Sequence, residues 1–190
     1  LLDERLPENR ELQIIRGSVD HLRALLQRTR MHTGRVVLNP GDCDVRALFE
    51  QIIRETPHTD ALRIEIDRCD DAPLYCDPSH VREALTNLVG NAVEAMRGSG
   101  RITLSYVRTA HKASISVCDD GPGMTPAAQK RIFEPYYTTK TSGENFGLGL
   151  YYCQNVMNVH EGSIRVSSAP GKGCTFTLIF PLATQGRRKP

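Results

Sequence analysis

The chain has 190 residues, of which 39% are hydrophobic and 24% charged, and its net charge is +2. Such a balance supports a packed core, and so small a charge carries no nucleic-acid footprint. The six cysteines include no Cys-x-x-Cys pair and the six histidines no His-x-x-x-His, which argues against a zinc site and, at this length, against a disulfide framework.

Pro7-Glu8-Asn9 reads as a helix start. Apolar residues follow at Leu12, Ile15, Val19, Leu22 and Leu26, in alternating steps of three and four, with Arg16, Asp20, Arg23 and Gln27 as polar flanks. This spacing predicts a helical dimer seam; a single helix packed on its own domain is the alternative. Gly34 to Asp42 carries Gly, Asn and Pro and is read as a connector and domain boundary. Val45, Leu48, Phe49 and Ile52 predict an amphipathic helix capped by Asp42 or Asp44. Leu62 to Ile66 alternates as a half-buried strand, and Leu74 to Cys76 is a short one.

Asp77-Pro78 opens the longest predicted helix, with Asp as cap and Pro in the first turn, running to about Met96 and stopping at Gly98. Strands Arg101–Tyr106 and Ala113–Val117 form a hairpin. Pro126 to Phe133 is a short helix, Glu134 to Phe146 a loop, and Leu148 to about Val159 a helix that ends at Gly162. Strands Ser163–Val166 and Thr175–Phe180 make a second hairpin. Paired strands with helices between them predict an α+β sandwich, with one sheet and helices on one face. A doubly wound nucleotide fold needs regular strand–helix alternation, which is missing. No apolar run is long enough to span a membrane and no signal peptide is present.

Four segments carry candidate chemistry. On the long helix, Val81, Leu85, Leu88 and Ala92 form an apolar stripe, while Glu83, Asn87 and Asn91 step by four along another side. Asparagine is disfavoured inside helices, and amide oxygens suit a hard cation such as Mg²⁺ that also takes phosphate oxygens; a solvated face is the alternative. In Asp119-Asp-Gly-Pro-Gly-Met124 the carboxylate follows a strand, and Gly121 and Gly123 let backbone approach a ligand. A carboxylate prefers an exocyclic amine to a carbonyl, hence adenine to guanine; an Asp that caps its own turn is the alternative. Lys140 and the glycines Gly147 and Gly149 combine a cation with a helix start, an anion site outside the Walker pattern, or else a plain surface loop. Gly171-Lys-Gly-Cys-Thr175-Phe176 is a turn that offers the Thr175 hydroxyl.

In this order the four segments resemble the ATP-binding catalytic domain of sensor histidine kinases, of the nitrogen-regulatory type, in the superfamily that also holds DNA gyrase, the large heat-shock chaperone and the MutL repair ATPases. The asparagine helix resembles the N box of that family. DDGPGM resembles its first glycine box, IFEPYYTTK its F box, FGLGLYYCQNVMNVHEGSI its second glycine box, and GKGCTF its last glycine-threonine element.

The resemblance implies a Bergerat-type fold, a mixed and mostly antiparallel sheet with helices on one face behind an N-terminal helix. It implies ATP and Mg²⁺ as cofactors. Asn91 would bind the metal with support from Asn87, and Asp119 would accept the adenine amino group with Gly121 and Gly123 close to the base. Lys140, Gly147, Leu148 and Gly149 would surround the phosphates, Thr175 would flank the adenine, and residues 134–146 would form the lid. Asn87, Asn91 and Lys140 are the implied catalytic residues. Phe146 departs from the small or hydroxyl residue usual before Gly147, and Glu94 stands where some relatives have lysine.

The implied domains are 1–34, the second helix of a dimerisation and phosphotransfer hairpin; 35–183, the catalytic domain; and 184–190, a disordered basic tail. The phosphate-accepting histidine would lie on the first hairpin helix, absent from this sequence. His21 is followed by Leu22-Arg23, without the acidic residue and nearby proline of the family's acceptor. The implied partners are that hairpin, a second copy in a homodimeric parent, and a response-regulator receiver domain, with no nucleic acid. The expected location is cytoplasmic, in a parent whose unseen upstream region could hold a membrane anchor. The implied activity is protein-histidine kinase. Alternatives within the superfamily are ATP hydrolysis, for which relatives use a glutamate at the place of Asn87, and nucleotide binding without catalysis.

Overall fold

The computed structural model describes residues 38–57, 60–138 and 147–182. The predicted seam helix, His21, Lys140, the stretch 139–146 and the basic tail lie outside the described residues.

The connector is shorter than the sequence reading placed it. Its last residues form strand β1 (Gly41–Cys43), which pairs antiparallel with β3 (Leu74–Cys76) in a separate two-stranded sheet. Three residues of Gly, Asp and Cys show no alternation, so only the partner strand makes them legible. Helix α1 (Val45–Glu55) buries Val45, Leu48, Phe49 and Ile52. Of the two candidate caps, Asp44 serves, its carboxylate accepting from the Ala47 N–H at 3.0 Å.

The main sheet has five strands in the order β2 (Leu62–Cys69), β4 (Gly100–Arg108), β5 (Lys112–Asp119), β7 (Cys174–Pro181) and β6 (Ser163–Ser168). Only β2 and β4 run parallel, joined by a crossover through helix α2 (Pro78–Ala95); the other neighbours are antiparallel. The two expected hairpins are β4–β5 and β6–β7. Strand alternation divides the sheet sharply. Ile102, Leu104, Tyr106, Ile115, Val117, Phe176, Leu178 and Phe180 are buried on the helix side. Thr103, Ser105, Ser114, Ser116, Thr175 and Thr177 alternate with them on the other side, where the Ser116 and Thr177 hydroxyls meet at 3.0 Å.

Helix α2 covers the sheet with Val81, Ala84, Leu85, Leu88, Val89 and Ala92, each larger side chain contributing about 1.5–3 kcal/mol by leaving water. The predicted short helix is shorter still: α3 (Pro126–Gln129) gives way to turns from residue 130. Helix α4 (Gly149–Val159) packs on α2, burying Tyr152, Cys153, Val156 and Met157.

Candidate functional site

The end of β5 delivers Asp119 to the helix side of the sheet. In the β5–β7 register Asp119 faces Cys174, and its Oδ1 accepts from the backbone N–H groups of Gly121 at 2.9 Å and Cys174 at 3.3 Å. Asp119 is 6% exposed, one of two buried charged residues among those described. Burial raises its carboxyl above the ordinary range; the two N–H groups oppose that rise and Asp120 adds to it. The arrangement saturates one oxygen with local donors and leaves the other to meet a ligand.

The glycines around it are steric requirements. A Cβ on Gly121 would stand 2.8 Å from Asp119 Oδ1. Gly123, at φ +68°, and Gly173, at φ +71°, are in the left-handed region. A Cβ on Gly123 would collide with the Ala169 carbonyl, and one on Gly173 with the Asp119 carbonyl. Ser168 ties this turn together: its hydroxyl accepts from the Met124 N–H at 2.8 Å and donates to the Gly173 carbonyl at 2.7 Å.

Thr175 lies away from this group. It pairs with Cys118, and its hydroxyl donates to Cys118 Sγ at 3.3 Å, on the sheet face opposite Asp119. The residue beside Asp119 is Cys174, 9% exposed, whose sulfur lies 3.1 Å from Ser168 Oγ. Burial is the leading cause that raises its thiol pKa above the ordinary range. The signal was present in the sequence. Phe176, Leu178 and Phe180 set the inward phase of β7, which points Cys174 in and Thr175 out.

A second group of candidates lies between α2 and α4. Asn87 and Asn91 are both half-buried, one turn apart. The Asn87 amide nitrogen donates to the Glu83 carbonyl at 3.0 Å, which turns its oxygen toward α4. There a Cβ on Gly149 would stand 3.1 Å from Asn87 Oδ1. The α4 cap residue Leu148 gives no side-chain hydrogen bond, so the N–H groups of the first turn have neither an intrahelical nor a cap-side-chain partner. Gly147, at φ +65°, accepts from the Tyr136 N–H at 3.1 Å. Tyr136 and Gly147, far apart in sequence, are therefore neighbours in space.

Sequence reasoning identified Asp77 as a cap but not its wider role. It is 4% exposed and accepts from Asn39, Ser79 and His80 N–H groups. Burial pushes its carboxyl up, but these donors and the His80 ring outweigh that and hold it below the ordinary range. It also missed Tyr152, His80 and His160, which link α2 to α4; these depend on helix pairing that no local pattern reveals. Among the described residues no group of three or more His, Cys, Asp and Glu could hold a metal. No described helix is long and apolar enough to cross a membrane.

The histidine kinase-, DNA gyrase B- and HSP90-like ATPase family matches residues 76–184. The signal transduction histidine-protein kinase AtoS of Escherichia coli K12 is 41% identical over 118 residues, 62% of this chain and 19% of AtoS. Full-length ShkA, solved in complex with AMPPNP, superposes with a TM-score of 0.78 at 26% identity, over 93% of this chain and 39% of ShkA. ThkA, solved in complex with the response regulator TrrA, shares the fold with a TM-score of 0.69 at 23% identity, over 98% of this chain and 55% of that one. The chain thus spans only about a fifth of AtoS and two fifths of ShkA.

Proposed function

The chain belongs to the histidine kinase-, DNA gyrase B- and HSP90-like ATPase family, and we propose that it is the ATP-binding core of a two-component sensor histidine kinase. The reaction is transfer of the ATP γ-phosphoryl to a histidine on a dimerisation hairpin, for relay to an aspartate of a response-regulator receiver domain. ThkA, by its solved complex, has such a partner; here the partner, the hairpin and the homodimeric parent are parts of the proposal. So is the division into a hairpin helix at 1–34, a catalytic domain at 35–183 and a tail.

The donor set fits ATP with Mg²⁺. The Asp119 carboxylate, with one oxygen already occupied by Gly121 and Cys174, accepts the adenine amine through the other. Gly121 and Gly123 keep side chains from the base. The first-turn N–H groups at Gly149, with Gly147, Leu148 and Lys140 beside them, take phosphate oxygens. Asn91 holds Mg²⁺ through its amide oxygen, supported by Asn87. The metal supplies charge neutralisation on the phosphates; the protein groups position and screen, which is most of what phosphoryl transfer requires.

The observation that carries the kinase reading over hydrolysis is the amide at residue 87. Hydrolysing relatives place a glutamate there to activate water, and an amide takes no proton near neutral pH. With labelled ATP, the chain alone binds nucleotide and keeps no stable label, whereas a hairpin-bearing version becomes phosphorylated on histidine. Stable label on the isolated chain overturns the missing-acceptor part, and rapid phosphate release overturns transfer. Asn91→Ala and Asp119→Ala each weaken ATP binding by about tenfold or more, as loss of a hydrogen bond to a charged group requires; unchanged affinity removes both assignments.

A further inference from the structure

Helices α2 and α4 are joined by a series of contacts, most of which the proposed chemistry does not itself use. At one end the Asp77 N–H donates to His160 Nε2 at 3.0 Å, and His160 Nδ1 faces the Val156 carbonyl at 2.7 Å. Next, the Tyr152 hydroxyl donates to Glu83 Oε2 at 2.6 Å, and His80 Nδ1 lies 3.0 Å from the same hydroxyl. Then Cys153 Sγ donates to the Ala84 carbonyl at 3.4 Å. At the other end Gly149 sits against Asn87 Oδ1.

The spacing joins the last contact to the Tyr152 one. Gly149 and Tyr152 are three residues apart on α4, and Glu83 and Asn87 are four apart on α2, so each pair shares a helix face. A rotation or slide of α4 that parted Tyr152 from Glu83 would carry Gly149 off Asn87. The bond between the hydroxyl and the carboxylate is short and charge-assisted, the strong kind. Tyr152 is 7% exposed, so the hydroxyl has little water to turn to if Glu83 is removed. On the other helix, the Asn87 nitrogen is committed to the Glu83 carbonyl, and the oxygen is what the amide presents.

We propose that Tyr152 and Glu83 are positioning residues that hold the first turn of α4 opposite the Asn87 amide oxygen, so that the phosphate and Mg²⁺ contacts of the site engage together. This rests on the ATP–Mg²⁺ reading above. The ring of Tyr152 fills the interface, and its hydroxyl fixes the rotation of one helix against the other.

The test is calorimetric titration of the full chain with adenylyl imidodiphosphate and with adenosine, each with Mg²⁺ and with chelator. Wild type binds the triphosphate analogue more tightly when Mg²⁺ is present. Tyr152→Phe cuts that Mg²⁺-dependent gain by about fivefold and leaves adenosine affinity unchanged, the size expected for one lost hydrogen bond. Glu83→Ala does the same, while Glu83→Gln, which keeps an acceptor for the hydroxyl, restores most of the gain. The double variant Tyr152→Phe/Glu83→Ala is little worse than Glu83→Ala alone and far from the sum of the two losses, because the two act chiefly through the bond they share. Additive losses, an undiminished gain in Tyr152→Phe, or an equal loss of adenosine affinity overturns the positioning role while the ATP site stands. Failure of the wild-type chain to bind either compound overturns the ATP reading and this inference with it.

Discussion

Around Asp119 the site is main chain against main chain. Gly123 abuts the Ala169 carbonyl, Gly173 abuts the Asp119 carbonyl, and two backbone N–H groups hold the carboxylate. Between α2 and α4 each contact instead involves at least one side chain: Tyr152 on Glu83, Cys153 on the Ala84 carbonyl, and Asn87 beside Gly149. The first region has no slack, because a backbone carbonyl cannot turn aside as a side chain can. In the second, every contact has a rotatable side chain on at least one side. A recognition pocket for a rigid flat base suits the first construction. A junction between two helices beside Gly147 suits the second.

The largest effect expected from this contrast is on stability. Gly173→Ala places a methyl group on the Asp119 carbonyl and forces a left-handed φ on an L-residue. Strain and overpacking each cost about 1–3 kcal/mol, so urea denaturation should show a loss of roughly 4 kcal/mol. Gly149→Ala, whose Cβ meets a side-chain amide at 3.1 Å, should lose far less. Equal losses at the two positions would erase the distinction between the regions.

Next in size is a split between binding and stability at Asp119. Burial, its largest influence, raises the folded carboxyl above its unfolded value. A raised folded value means the native state binds the proton more tightly. The stabilisation is therefore full below the unfolded pKa and is lost as pH rises through the folded one. At neutral pH the ionised group is a burden on the apo fold. Asp119→Asn retains an oxygen for the Gly121 and Cys174 N–H groups but turns an amide nitrogen toward the adenine amine. Nucleotide affinity should fall about tenfold to a hundredfold, the worth of a charge-assisted hydrogen bond. The apo melting temperature at pH 7 should hold or rise, with its advantage over wild type shrinking as pH falls. In the wild type, nucleotide affinity should decline over the same acid window in which the apo protein gains stability. A drop in apo stability on Asp119→Asn at pH 7 would contradict this account of the carboxylate.

The two regions also differ in how far the sequence discloses them. Asp119, Gly121 and Gly123 stand within five residues, and their chemistry needs only local geometry, so the string DDGPGM announces it. The apolar stripe of α2 and the alternation of β4, β5 and β7 are equally local, which is why the layered sandwich was legible. Asn87 was legible as an unusual residue in a helix interior. The partner of Glu83, one turn before it, was not, since Tyr152 lies 69 positions away and nothing in FGLGLYYCQN marks which of two adjacent tyrosines turns inward. Strand β1 was hidden for a similar reason: three residues have no period, and only β3 gives them a partner.

The smallest effect separates the faces of the sheet at the Asp119 end. Thr175 is the hydroxyl that its motif singles out, yet its Oγ1 donates to Cys118 on the outer face, one residue out of phase with Cys174 and Asp119. Thr175→Val keeps the β-branched shape that suits a strand and removes only that weak hydrogen bond to sulfur, so stability should change by about 0.5 kcal/mol or less and nucleotide affinity by less than twofold. Cys174→Val adds bulk on the inner face, beside the Asp119 carboxylate and the Ser168 hydroxyl, and should weaken nucleotide binding several-fold more. Binding that followed Thr175 and ignored Cys174 would mean that the ligand approaches from the hydroxyl-bearing face, and the assignment of Asp119 to the base would then fail with it.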